Sequence, residues 1–157
     1  MDVTVSAQID RPTSEVAAFA MNPENEPRWI GGIKTARLLS PPPVGVGTQV
    51  ERVAAFLGKQ FSYILQAEEY EPGHKVVMTS VRGPFPMRVT YSFDAAGSGT
   101  RVTNRVEGDT GGFYRLAGPL MKLAVKRSLT RDLATLKRLL EGAGLAQSAQ
   151  GSDDAPA

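Results

Sequence analysis

The chain contains no cysteine, which removes disulfides, thiol nucleophiles and thiolate metal sites together. Its one histidine, His74, leaves a histidine-based triad or a histidine metal cluster without a second member. That residue closes Glu71-Pro72-Gly73-His74, a turn sequence in which an exposed, inert side chain is expected. No stretch approaches the ~18 apolar residues of a membrane span. The N-terminus lacks the basic-then-apolar order of a secretory signal, so a cytoplasmic location is the expectation. Gly45-x-Gly47 and Gly111-Gly112 have neither the spacing nor the following lysine of a phosphate-binding loop. No metal and no cofactor are expected.

What remains is ordinary in amount and informative in order. At 157 residues with 41% hydrophobic content, the chain is long enough for one domain with a real core. Residues 1–142 carry the patterning. The tail 143–157, built of Ala, Gln, Ser, Gly and Asp, is expected to be disordered.

The longest periodic stretch is Gly118 to Glu141. Pro119 suits a first helical position, and Met121, Val125, Ser128, Leu129, Leu136, Leu139 and Leu140 recur at helical spacing on one face. Arg127, Thr130, Arg131, Ala134, Lys137 and Arg138 take the other face, with Gly142 and Gly144 as stop signals. Phe113, Leu116 and Leu120 form a stripe of different phase, which predicts a kink near Gly118-Pro119. Net charge is +2, yet Gly112–Glu141 alone carries +5. Such a basic face either keeps the helix solvated or contacts an anionic membrane or partner. It lacks interleaved aromatics, which argues against nucleic acid.

Upstream, the pattern is mostly strand. Val3, Val5, Ala7 and Ile9 alternate with polar residues. Thr13 or Ser14 is placed to cap a short helix with Val16, Phe19 and Ala20 inward, and a second short helix spans Glu24–Trp29. Strands follow at Ile33–Leu39, Thr48–Leu57, Gln60–Tyr70, Lys75–Arg82, Met87–Asp94 and Arg101–Glu107, with Gly58-Lys59 as a two-residue hairpin loop. The fold class expected is α+β: a curved antiparallel sheet of about seven strands wrapped around a long C-terminal helix.

That order, together with several turn and cap signals, resembles the START/polyketide-cyclase superfamily (SRPBCC) and its helix-grip fold. The resembling residues are Ile9-Asp10-Arg11-Pro12-Thr13-Ser14-Glu15-Val16, the Asn22-Pro23-Glu24 step to Trp29, and Val44-Gly45-Val46-Gly47-Thr48. Gly83-Pro84-Phe85-Pro86, Gly99-Thr100-Arg101-Val102-Thr103 and the arginine-rich last helix complete them. The resemblance implies a cavity between sheet and helix that takes lipids, sterols, quinones, polyketides or hormones. It also implies that some members are aromatase/cyclases.

Inward strand positions read by alternation are Phe56, Phe61, Tyr63, Val77, Thr79, Val89, Tyr91, Phe93 and Asn104. Trp29, Met121, Val125 and Ser128 would complete the wall of a ligand cavity. Packing against one another as a plain core is the competing reading for the aliphatic members. Tyr63, Tyr91 and Asn104 need a partner if buried. Asp132 falls on the apolar helix face and requires either a cation such as Arg52 or Arg105, or a raised pKa. Phe113–Pro119 with the Pro41–Gly47 and Gly83–Pro86 loops is the expected mouth. Three functions are carried forward: binding or transport of a small hydrophobic ligand (lipid, isoprenoid quinone or polyketide-like), an aromatase/cyclase or dehydratase using Tyr63, Tyr91 or Asp132, and an interaction module using the basic helix face.

Overall fold

The structure is a computed structural model describing residues 1–84, 86–108 and 118–153, with side chains of the last helix as far as residue 143. Strand β1 (Asp2–Ile9) leads into helix α1 (Thr13–Ala20), a 3-10 turn at Pro23–Asn25 and the one-turn helix α2 (Glu26–Trp29). Strands β2 (Ile33–Leu38), β3 (Gln49–Phe56), β4 (Lys59–Glu71), β5 (Lys75–Arg82), β6 (Met87–Ala96) and β7 (Gly99–Gly108) follow, and then helix α3 (Gly118–Asp153). The strands form one curled antiparallel sheet in the order β1-β7-β6-β5-β4-β3-β2, so successive hairpins build it and the first strand returns to pair with the last.

Alternation fixes the concave face. Val3, Val5 and Ile9 share it with Val102 and Asn104, then Val89, Tyr91 and Phe93, and all are buried. Cross-strand register carries the same face to Val76 and Met78, to Tyr63, Leu65 and Ala67, and to Val50, Arg52 and Ala54. Leu133, Leu136 and Leu140 of α3 press into it, each such burial contributing about 1.5–3 kcal/mol. Lys137 Nζ donates to the Gln8 carbonyl at 2.7 Å and Glu141 accepts from the Asp10 N–H at 3.0 Å, pinning this half of α3 to the end of β1.

The other half of α3 is held less. No residue from Gly118 through Arg131 is buried, and Leu120 and Leu123 are 73% and 44% exposed. Those two, with Leu57 and Val81 (66% and 52% exposed), lie at the end of the sheet where β1 begins and β3, β5 and β7 finish.

Several local expectations are corrected. Neither Thr13 nor Ser14 caps α1, which starts after Pro12 without a side-chain cap; the Thr13 hydroxyl instead accepts from Thr100. The β3–β4 hairpin loop is Leu57-Gly58, because Phe56 pairs with Lys59, and both loop residues have positive φ (50° and 78°) as a type I′ turn demands. Gly142 and Gly144 do not stop α3, whose backbone is helical to Asp153; glycine lowers helix propensity by only about 1 kcal/mol and need not terminate a helix. Leu133, left out of the apolar stripe above, is 1% exposed and central to it. The expected kink near Gly118-Pro119 depends on residues 109–117, outside the described residues.

Candidate functional site

The β3 alternation that buries Val50 and Ala54 also turns Arg52 into the core, where it is 3% exposed. Glu26, the first residue of α2, meets it there: Arg52 Nε donates to Glu26 Oε2 at 2.8 Å and Nη2 to Oε1 at 2.7 Å. This two-pronged geometry is the strong form of the pair, and it has to offset several kcal/mol of desolvation per ion, on the order of the measured cost of buried charges. Burial alone would lower the Arg52 pKa, but the Glu26 carboxylate and the neighbouring tyrosines hold it well above its ordinary value. Arg52 is therefore a fixed buried cation, and Glu26 cancels it.

Around the pair stand the other polar groups of the concave face. Tyr63 lies directly opposite Arg52 across β3 and β4, and Asn104 directly opposite Tyr91 across β6 and β7. The Trp29 ring meets Tyr91 edge-on with centroids 5.8 Å apart, and Phe61 tilts onto Tyr63 at the same separation. Burial pushes the Tyr91 hydroxyl well above the usual phenol range, with Arg52 opposing the shift, so it is a neutral hydrogen-bonding group at physiological pH.

Few of these groups find partners within the protein. Trp29 Nε1 and Asn104 Oδ1 are sealed from solvent without a hydrogen bond. Among the described residues none bonds the Tyr63 or Tyr91 hydroxyl or Arg52 Nη1 either. The two sealed atoms, Trp29 Nε1 and Asn104 Oδ1, each cost about 1–3 kcal/mol left this way. Such atoms are rare in folded proteins; here both belong to residues that flank Tyr91, one by ring contact and one by strand register.

Asp132 takes neither cation proposed for it. Arg105 pairs with Asp2 on the outer face at 2.7 Å, and Arg52 belongs to Glu26. Asp132 Oδ1 instead accepts the Gly31 N–H at 3.0 Å, and its pKa is raised by burial, with that N–H and Arg131 opposing.

The sequence-derived wall is partly reassigned. Trp29, Phe61, Tyr63, Val89, Tyr91, Phe93 and Asn104 come together in the interior. Phe56 is half-buried beside the hairpin turn, while Met121, Val125 and Ser128 are half-buried on the looser half of α3. Val77 and Thr79 face the opposite side of the sheet, since Val76 and Met78 are the residues in register with Tyr91 and Val89. The Thr79 hydroxyl donates to Glu68, which Arg88 also engages. Val76-Val77-Met78 is uninterrupted apolar sequence, so alternation does not set its phase. His74 is exposed, as its turn sequence predicts.

A hollow of about 20 Å³ lies beside Glu26 and Tyr91, bordered by Val50, Thr48, Val76 and Met78 and covered by Ala20, Met21 and Pro23, enough for a water molecule or so. The mouth also differs from expectation. The 41–47 loop hydrogen-bonds through Gly47 to Ala67 at one end of the sheet, whereas Gly83 lies at the other end against Tyr63. Gly83 has φ +151°, and a Cβ there would sit 2.8 Å from Tyr63 Cβ, so the loop approaches the tyrosine because it has no side chain. Residues 113–117 of the expected mouth lie outside the described residues.

The family model described as "Polyketide cyclase / dehydrase and lipid transport" matches residues 1–141. The chain belongs to this family. Its fold is similar to that of TTHA0849 from Thermus thermophilus (TM-score 0.79, 20% identity, 91% of this chain and 99% of that one). A START superfamily protein from Mycobacterium smegmatis (TM-score 0.76, 16% identity, 90% and 98%) and NE0264 from Nitrosomonas europaea (TM-score 0.72, 18% identity, 92% and 97%) are similar in the same way. A comparison with curated proteins finds no match. The family match makes this a polyketide cyclase/dehydrase-like domain, and the likenesses to solved structures show that its fold is START-like. No helix among the described residues is long and apolar enough to cross a membrane.

Proposed function

We propose that the protein binds a small, largely apolar molecule between the sheet and α3, with the polar end of that molecule against Tyr63, Tyr91 and Asn104. The observation that carries this reading is the pair of sealed polar atoms without protein partners, Trp29 Nε1 and Asn104 Oδ1, on the two residues that flank Tyr91. A ligand that supplies those partners recovers an unmet cost, while its apolar body contributes roughly 25 cal/mol per Å² buried before ordering costs.

Leu133, Leu136 and Leu140 of α3 pack directly against the sheet's buried residues, and the hollow beside Glu26 and Tyr91 is about 20 Å³, so binding requires the grip to widen. The half of α3 from Gly118 to Arg131, none of it buried, is the part that yields at least cost. Leu57, Val81, Leu120 and Leu123 give that end an apolar rim, and Lys122, Lys126 and Arg127 on the same half of α3 suit contact with an anionic membrane during exchange.

A cyclase or dehydratase reading needs a proton acceptor beside the bound chain. Asp132 is the candidate carboxylate, but it is engaged with Gly31, and the raised Tyr91 hydroxyl is a poor base. Binding is therefore preferred over turnover. Native mass spectrometry of the protein titrated with Nile red, an uncharged apolar probe, tests the reading. Saturable uptake of one molecule per chain is expected; absence of saturable uptake overturns it.

A further inference from the structure

The charge inventory of the interior restricts the chemistry of what it can hold. The buried charged residues among those described are Arg52, Glu26 and Asp132. Arg52 and Glu26 cancel through two hydrogen bonds, so the guanidinium has no surplus charge to offer. Asp132 adds either nothing or a further negative charge. An anionic group brought into this core would be desolvated without a compensating cation, the situation that makes single buried charges costly.

The hydrogen-bonding inventory points the same way. Arg52 Nη1 and Trp29 Nε1 are donors, Asn104 carries both a donor and a sealed acceptor, and the two tyrosine hydroxyls can do either. A carboxylate and a carbonyl both only accept, so either could engage these donors, and what separates them is the charge the carboxylate imports. A hydroxyl or enol both donates and accepts, and a carbonyl suits the donors without importing charge.

Resting on the binding reading above, we infer that the interior selects apolar molecules whose buried end is an uncharged hydroxyl, enol or carbonyl, and rejects those ending in a carboxylate. Glu26 is the specificity-determining residue: by occupying Arg52 it denies that cation to an anionic ligand. The outer basic residues of α3 do not alter this, because they lie in solvent, where their fields are screened.

The test compares 2-naphthol with 2-naphthoate at pH 7, which share a ring system and differ in charge, using quenching of Trp29, the sole tryptophan. The wild-type protein is expected to bind 2-naphthol roughly tenfold or more tightly than 2-naphthoate, as uncompensated charge burial implies. Equal or stronger binding of 2-naphthoate overturns the inference while leaving the binding reading intact; saturable binding of neither overturns both. Glu26→Gln frees Arg52 and is expected to raise 2-naphthoate affinity roughly tenfold. An unchanged preference in the folded variant removes Glu26 from the role assigned to it. Should that variant fail to fold, the wild-type comparison decides alone.

Discussion

Arg52 and Asp132 are both buried ionisable residues with raised pKa values, which favours the charged form of Arg52 and the neutral form of Asp132. Glu26 keeps Arg52 charged, whereas Asp132 has one backbone N–H and no facing cation within the core. A carboxyl whose pKa is raised on folding contributes most stability below its unfolded pKa, and that contribution is lost as pH rises through the folded value. At neutral pH Asp132 thus lowers stability. Asp132→Asn keeps an acceptor for Gly31 and removes the charge, so the variant is expected to melt higher than wild type at pH 7, with the gap closing below the ordinary aspartate range. Thermal denaturation at several pH values checks this, and a lower melting temperature at pH 7 would mean that a cation pairs with Asp132 after all. Of this site, Tyr63, Tyr91 and Asn104 were legible because each falls at an inward position of an alternating strand. Arg52 falls at such a position too, between Val50 and Ala54, and a charge there demands a partner. Glu26 was not legible: it sits in a polar turn, Asn25-Glu26-Pro27, and only the path of the chain over the sheet brings it to the guanidinium.

At the scale of elements, α3 is two helices in energetic terms. From Asp132 to Leu140 it buries side chains in the sheet, while from Gly118 to Arg131 no residue is fully buried and Val125 and Leu129 rest half-buried against the core. Leu136→Ala is therefore expected to cost about 2–5 kcal/mol, and Leu123→Ala to stay within about 0.5 kcal/mol, both by urea unfolding. Equal losses would place the first half of the helix in the core and remove the proposed opening. Periodicity identified the helix and its general face. It did not reveal this division, because Met121 and Val125 are as apolar as Leu136 and differ from it in how deeply they are buried. Strand phases were legible wherever polar and apolar residues alternate, as in β1, β6 and β7, and failed in β5, where three apolar residues in a row fit either face.

For the whole molecule, the curl of seven strands around one helix was readable from element order, since a half-buried sheet and an amphipathic helix have few other ways to cover each other. The fill of the interior was not. Whether Trp29, Tyr63, Tyr91 and Phe93 leave a hollow or close it depends on side-chain packing at the scale of a methyl group, and here all four are buried in one core cluster. The central claim is that this closed, polar-centred interior opens to take a neutral apolar molecule beside Arg52–Glu26. Because Trp29 is the sole tryptophan and its Nε1 has no partner, its indole N–H should give one resolved resonance in a ¹H–¹⁵N spectrum. Titration with 2-naphthol is predicted to shift that resonance saturably, in step with binding measured by mass. Saturable binding that leaves the Trp29 indole signal unmoved would put the ligand elsewhere and contradict the account.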